Sequence, residues 1–259
     1  MAGFEIATAS ADDVARIMRW AEDEGWNPAP SDRAAFLVGD PAAFLIGRLD
    51  GEPVVSISVT RYGADFGFLG CYIARPPVRG KGYGLRIWNA GMARLAGRLV
   101  GLDGVPAQQA NYRKSGFHHA WNNVRHEGTP TAVLPVPAGV TLVDARTIPF
   151  DALLAYDRRF YPAERDAFLA AWIDTPGRTS RVALRDGAIV GFGTIRDAIA
   201  SSRIGPLHAA SPEIAGALVT ALVTAFQGRP TAIDVPDFNH AGVRLAGQLG
   251  LTPAFETAR

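Results

Sequence analysis

"PPVRGKGYGLRIW", Pro76 to Trp88, places Gly80, Gly82 and Gly84 within five positions, between a strand-like run and a helix-like run. Small residues at a helix start leave backbone N–H groups bare and pointing outward, which marks an anion site. A G-x-x-x-x-G-K-[ST] phosphate loop is excluded, because Lys81 is followed by Gly82. The alternating glycines also exclude a G-x-G-x-x-G dinucleotide loop. What fits is R-x-x-G-x-G, Arg79 to Gly84, with a strand before it and a helix after it.

Upstream of the loop, Phe66 to Ala74 reads as a strand in which Gly67 and Gly70 allow a bulge or the close approach of a ligand. The chain opens with a strand over Phe4–Thr8 and a helix that Ser10 caps with Asp13, its apolar face made by Val14, Ile17, Met18 and Ala21. A turn-rich loop after Gly25 leads to a short helix from Asp32 to Val38, then to two strands joined at Asp50-Gly51, a hairpin signal. Downstream, Leu85, Trp88, Met92 and Leu95 form a helical stripe that closes at Gly97. One more strand, a helix ending at Gly116 and a strand over 120–128 follow. "TPTAVLPVPAG", Thr129 to Gly139, carries three prolines and no periodicity and reads as a linker.

The second half repeats the order. A strand after Gly139 precedes a helical region from Phe150 to Ile173, and a hairpin turns at Asp186-Gly187 in place of Asp50-Gly51. Strand, helix, strand, helix and strand complete the copy, so the chain reads as an internal duplication with boundaries at 1–128, 129–139 and 140–259. At the position of "RGKGYG" the second copy has "HAASPE", without glycines or basic residues.

Composition bounds the function. Two domains fit into 259 residues, and a hydrophobic content of 48% suffices to build their cores. A net charge of +1 gives no general field for nucleic acid or an anionic membrane. The single cysteine, Cys71, excludes an internal disulfide framework and suits a reducing cytoplasm. No secretory signal is visible at the N-terminus, and no stretch reaches the roughly 18 apolar residues of a membrane span. A cytoplasmic protein of bacterial composition is expected, as a monomer or homodimer.

"YIARPPVRGKGYG" resembles the strand-loop pattern L-x-V-x-P-x-x-R-G-x-G-x-G of the GNAT N-acetyltransferases, with Tyr72, Ala74, Pro76 and Arg79 at the matching places. "YRKSGF", Tyr112 to Phe117, is similar to the family's Y-x-K-x-G-F signature, in the right order and about thirty residues further on. The resemblance implies an α/β (α+β) fold of two tandem domains, each a mixed, mostly antiparallel sheet flanked by helices. The second domain is read as a degenerate relative that completes the acceptor site or stabilises the fold.

It also implies acetyl-CoA as co-substrate, no metal, and transfer of the acetyl group to a primary amine of a small molecule by direct attack in a ternary complex. The alternative is a non-catalytic acyl-CoA-binding module. The cofactor would be held by Tyr72, Ile73 and Ala74 on the strand and by Arg79, Gly80, Lys81, Gly82, Tyr83 and Gly84 in the loop. Backbone N–H groups near Ile73 and Ala74 are the expected oxyanion donors. Tyr112 is the carried-over general acid for the departing thiolate, and Asp65 is a general-base candidate. One departure from the pattern is Val105, where the family usually has an asparagine; Asn111 is close in sequence but faces differently.

Glu24, Trp26 and Asn27 lie in the aromatic-acidic loop after the first helix and are the acceptor-binding candidates. Asp157, Arg165, Asp234 and Asn239 are the polar candidates of the second half. Cys71 invites an acyl-cysteine, but nothing nearby in sequence suggests an activating pair, so it reads as a buried strand thiol. The adjacent His118 and His119 read as strand residues pointing to opposite faces, unsuited to a metal pair.

Overall fold

A computed structural model describes residues 3–226 and 228–259. The first half runs β1 (Phe4–Thr8), α1 (Ala11–Asp23), α2 (Asp32–Gly39), β2 (Phe44–Leu49), β3 (Glu52–Tyr62), β4 (Phe66–Ala74), α3 (Tyr83–Arg94), β5 (Leu99–Leu102), α4 (Gln109–Lys114) and β6 (Asn122–Gly128). The second half repeats that order with β7 (Val140–Asp144), α5 (Phe150–Asp157), α6 (Asp166–Asp174), β8 (Arg178–Arg185), β9 (Ala188–Asp197), β10 (Ser202–Ala209), α7 (Pro212–Thr224), β11 (Thr231–Pro236), α8 (His240–Gln248) and β12 (Thr252–Ala258). The duplication read from element order is present strand for strand and helix for helix.

Local chemistry sets the boundaries. Ser10 and Asp13 form a reciprocal capping box at the start of α1. At its end Gly25, at φ +76°, lets the Trp26 N–H reach back to the Ala21 carbonyl at 3.0 Å. The hairpins turn through Asp50-Gly51 and Asp186-Gly187, all four residues at positive φ, as a two-residue turn of that hand requires.

Sheet pairing crosses the sequence repeat. One sheet has the order β1-β2-β3-β4-β5, and the other the order β12-β6-β11-β10-β9-β8-β7. β6 precedes the proline-rich segment 129–139, yet it pairs antiparallel with both β11 and β12 in the second sheet. The chain accordingly divides into one compact unit up to Leu102 together with Pro162–Trp172, and a second of Asp103–Tyr161 with Ile173–Arg259. The boundaries expected at 128 and 140 mark the sequence repeat, whereas the compact units exchange pieces: α4 and β6 one way, most of α6 the other.

Two further expectations change. The helix expected from Phe150 to Ile173 is broken into α5 and α6, with Pro162 in the interruption. The buried face of α3 is Ile87, Trp88, Gly91 and, just beyond the helix, Leu95, while Leu85 is 62% exposed. Gly91 explains the rotated stripe. A Cβ there would stand 2.9 Å from Val59 Cγ1, so the helix lies close upon β3 only because that position is bare. Ile57 and Ile46 of the sheet and Ile17 of α1 are fully buried in this unit.

Candidate active site

β4 carries the geometry that matters. It pairs with β5 in parallel from Phe66↔Leu99 to Leu69↔Leu102, and among the described pairings its outer edge has no strand partner from Gly70 onward. On the inner edge Ser56 faces Ile73 and Ser58 faces Gly70, so the single residue Ile57 stands opposite both Cys71 and Tyr72. That is a β-bulge, as Gly70 suggested, and its pivot is Cys71 at φ +44°. A non-glycine residue at positive φ stores strain that the surroundings must hold, and such positions cluster at functional sites. Here the Ser56 hydroxyl donates to the Cys71 carbonyl at 2.9 Å.

The bulge decides which backbone groups face outward. The Arg75 N–H donates to the Val54 carbonyl on β3 at 3.0 Å, so alternation turns Ile73 toward β3 and Ala74 toward the open edge. The Ala74 carbonyl, on that edge, accepts from Arg79 Nε at 2.8 Å. Of the two expected oxyanion donors, Ala74 has the outward backbone and Ile73 the inward one.

The loop that follows has the character of an anion cradle. Gly80 and Gly82 sit at φ +74° and +86°, and a Cβ added at either would meet nothing within 4 Å. Gly82 is the N-cap of α3 and has no side-chain cap bond, and the first turn of the helix carries no acidic residue. The N–H groups of Tyr83, Gly84 and Leu85 therefore have no intrahelical acceptor and present the positive end of the helix. Gly84 is bare for a different reason than expected: a Cβ there would lie 2.8 Å from the Tyr72 hydroxyl, whose ring packs edge-on against Trp88 with centroids 5.2 Å apart. The Tyr83 ring packs against Phe4 at 4.8 Å, and Lys81 is exposed.

Arg79 does not point into the cradle. Its guanidinium is ion-paired with Glu24 at the end of α1, and beside it Arg75 binds Asp23 at 2.6 Å. Two carboxylates at a helix C-terminus oppose its dipole, and α1 has no basic residue of its own in the last turn. Arg75 directly follows β4 and Arg79 opens the glycine loop, so the two pairs fasten α1 to the strand end and the loop. Glu24 thus holds Arg79, while Trp26 packs half-buried on the core around Ile17 and Phe44. Asn27 is 8% exposed at φ +52°.

Asp65 is exposed in the turn before β4, six residues from Cys71 and so about 20 Å along the strand, at the end opposite the bulge. That distance removes it as the general base for chemistry at the bulge. Near the bulge stands an acid that sequence reading noted only as a helix start. Asp32, the first residue of α2, is 5% exposed, and its charge acts on the Cys71 thiol. Burial first, with Asp32 adding to it and a hydrogen bond from Ser58 opposing it, pushes that thiol up to about 11. A thiol so held stays protonated at neutral pH and is a poor nucleophile.

Tyr112 is half-buried on α4, within the second compact unit. Val105 caps the 3-10 turn Pro106–Gln108 through its backbone, and Asn111 donates to Gln108 Oε1 at 2.7 Å. His118 and His119 lie outside any strand, and His119 Nε2 is 2.9 Å from Asn122 Oδ1.

The remaining polar candidates have structural work. Asp234 pairs with Arg125 at 2.8 Å and Arg203 at 2.7 Å. Asn239 caps α8 by accepting from the Gly242 N–H at 3.0 Å. The Arg165 guanidinium lies 5.7 Å from the centre of the Phe168 ring. Asp157 is buried at the end of α5, its Oδ1 3.9 Å from Nε2 of His208, which stacks on Phe160.

The second unit repeats the open strand and lacks the cradle. β10 pairs with β11 only over Ser202–Ile204, and its register against β9 shifts before Leu207. The helix after it, α7, is capped by Ser211, whose hydroxyl accepts from the Ile214 N–H, and has Glu213 in its first turn. A filled cap and a carboxylate make this terminus unwelcoming to phosphate.

The acetyltransferase (GNAT) family model matches residues 11–117, and a second acetyltransferase (GNAT) domain model matches 153–259. A Holothin acyltransferase from Pseudoalteromonas sp. (strain SANK 73390) is 31% identical over 252 residues, 97% of this chain and 85% of that protein. The chain belongs to the GNAT family. It is an acyltransferase with two GNAT domains in tandem, and acyl-CoA is the co-substrate of the family.

The N-acetyltransferase YitH of Bacillus subtilis (strain 168), itself uncharacterized, is 24% identical over 90% of this chain and 82% of its own length. Among solved structures, a putative acetyltransferase of Pyrococcus horikoshii superposes with a TM-score of 0.81 at 20% identity, over 99% of this chain and 88% of that one. A tandem GNAT protein from the clavulanic acid biosynthesis pathway gives 0.71 at 17% identity, over 99% and 97%. These two structural likenesses speak for the fold alone. Among the described residues no helix is long and apolar enough to cross a membrane, and no cluster of three His, Cys, Asp or Glu side chains is placed to hold a metal ion.

Proposed function

We propose that this GNAT protein transfers an acetyl group from acetyl-CoA to a primary amine of a small molecule, by direct attack in a ternary complex. The observation that carries the reading is the continuous path from the Cys71 bulge, along the open backbone edge at Ala74, to Gly80, Gly82 and the uncapped start of α3. The open edge of β4 offers strand-like hydrogen bonding to the pantetheine amides, and the bare N–H groups with exposed Lys81 suit the diphosphate. The Ala74 N–H is the donor for the oxygen of the thioester as the amine adds. The amine nitrogen bonds to the acyl carbon and gives up a proton to solvent, the C–S bond breaks, and Tyr112, carried over from the family signature, is the acid for the departing thiolate.

Cys71 forms no covalent intermediate. Its thiol is buried and held far from ionisation, which favours direct transfer over an acyl-cysteine. The first half takes the acyl-CoA; the second half, with Ser211 and Glu213 where the cradle would be, takes none.

Mass spectrometry of reactions with acetyl-CoA and a panel of primary amines tests the reading. One amine gaining a single acetyl group, only when the protein is present, supports it. Acetylation confined to alcohols or thiols overturns the amine assignment.

A further inference from the structure

The cradle offers backbone N–H groups, and one side chain reaches it from the strand. Tyr72 directly follows the pivot of the bulge, and its ring lies edge-on against Trp88 with centroids 5.2 Å apart. Gly84 and Trp88 are four residues apart on one face of α3, so the ring runs along that face and its hydroxyl reaches the first turn. A Cβ at Gly84 would lie 2.8 Å from the hydroxyl and 3.6 Å from Cζ, so it is the polar tip that fills the space. Helical Cβ atoms tilt toward the N-terminus, which places the hydroxyl on the cradle side of Gly84.

Three further observations point to a ligand for this hydroxyl. Among the described residues no hydrogen bond holds it, although Tyr72 is half-buried. Burial pushes the phenol above its ordinary value, so it keeps its proton at neutral pH and is a donor. In the second unit Gly205 and Pro206 stand opposite Thr194 as Cys71 and Tyr72 stand opposite Ile57. The unit that lacks the cradle thus has a proline, with no hydroxyl, at the matching place.

We propose that the Tyr72 hydroxyl donates a hydrogen bond to a diphosphate oxygen of the bound acyl-CoA, beside the N–H groups of Tyr83, Gly84 and Leu85. The assignment rests on acyl-CoA binding by the first half and adds a directed side-chain donor to the backbone groups of the cradle. Gly84 is then bare so that this hydroxyl can stand at the start of α3.

The test follows CoA by titration calorimetry on the full-length protein, and ADP, which has the diphosphate without the pantetheine arm, by competition. In Tyr72→Phe the ring and its contact with Trp88 remain, and the Kd of both ligands rises by the same factor. That factor is about tenfold, for one lost hydrogen bond to a charged acceptor. A role in packing alone would leave both values unchanged. Gly84→Ala, which displaces the hydroxyl, weakens CoA to a similar extent. The double variant loses no more than either single one, because a methyl 3.6 Å from Cζ is in ordinary contact. Unchanged Kd values in folded Tyr72→Phe overturn the assignment, and so do losses that add in the double variant. Weakened CoA with unaffected ADP overturns it too, since the hydroxyl would then serve the pantetheine arm. A wild-type protein that binds no CoA overturns the underlying reading instead, so the two failures are told apart.

Discussion

Arg79 Nε donates to the Ala74 carbonyl at 2.8 Å, tying the first residue of the glycine loop to the last residue of the bulged strand. The same guanidinium is paired with Glu24 at the end of α1. One side chain thus sets the angle at which the strand edge gives way to the cradle, the two segments that one acyl-CoA must touch.

Arg79→Ala should therefore weaken acetyl-CoA binding more than it weakens the fold. Because the guanidinium turns away from the cradle, the loss comes through the displaced loop, and a rise in Kd of about tenfold is expected. Arg79 is half-exposed, and surface ion pairs contribute about 0–1 kcal/mol, so the midpoint of thermal unfolding should move little. Titration calorimetry and a melting curve on the same sample separate the two effects.

Gly82→Val should impair the cradle. A β-branched residue at φ +86° costs of the order of 1–3 kcal/mol in backbone strain, and relief of that strain turns the N–H groups of the loop away. The predicted outcome is a folded protein, by circular dichroism, whose acetyl-CoA affinity falls about tenfold or more. Gly84→Ala should act differently, by pushing the Tyr72 hydroxyl off the start of α3. Unchanged calorimetric affinity in Gly82→Val would contradict the cradle.

Tyr112→Phe should keep acetyl-CoA affinity and lower turnover. Positioned proton transfer contributes about a hundred- to ten-thousandfold, and only the hydroxyl is removed. Steady-state kinetics with a saturating amine reads the effect; intact turnover would assign the proton to water or another group.

The local backbone geometry was legible in the sequence because backbone chemistry writes itself in residue types. Ser10 with Asp13, Asp50-Gly51 and Gly80 with Gly82 each announce a local geometry, and each geometry is present. Sequence reading went astray where a distant partner decides. Gly84 is bare because of Tyr72, Gly91 because of Val59, and Arg79 turns away from the loop because α1 ends in acids. The exchange of β6 into the second sheet is a matter of strand pairing across more than a hundred residues, as Val124↔Val235 shows, which periodicity does not record. Asp32 looked like a helix start because burial is invisible in a string.

Acid should loosen the first unit through Asp40. Burial alone raises its carboxyl, but hydrogen bonds from the Arg61 side chain, from the Arg61 and Ala42 N–H groups and the Arg61 charge outweigh it and hold the group below the ordinary aspartate value. A carboxyl depressed in the folded state stabilises the fold above its unfolded value, and that contribution is lost as pH falls through the lowered one. Stability should accordingly decline below about pH 4 in the wild type. Asp40→Asn should cost about 1–3 kcal/mol at neutral pH and flatten the decline. Urea unfolding at several pH values measures both, and equal acid sensitivity in the variant would contradict the assignment.

Thiol release followed by stopped flow, in protein premixed with acetyl-CoA and then given the best amine of a panel, tests direct transfer from the β4 edge most closely. Negligible CoA release is expected before the amine is added and steady, amine-dependent release after it, in the wild type and in Cys71→Gly alike, since glycine keeps the positive φ of the bulge without a thiol. A burst of CoA equal to the protein concentration before any amine arrives, lost in Cys71→Gly, would show an acyl-cysteine intermediate and contradict it.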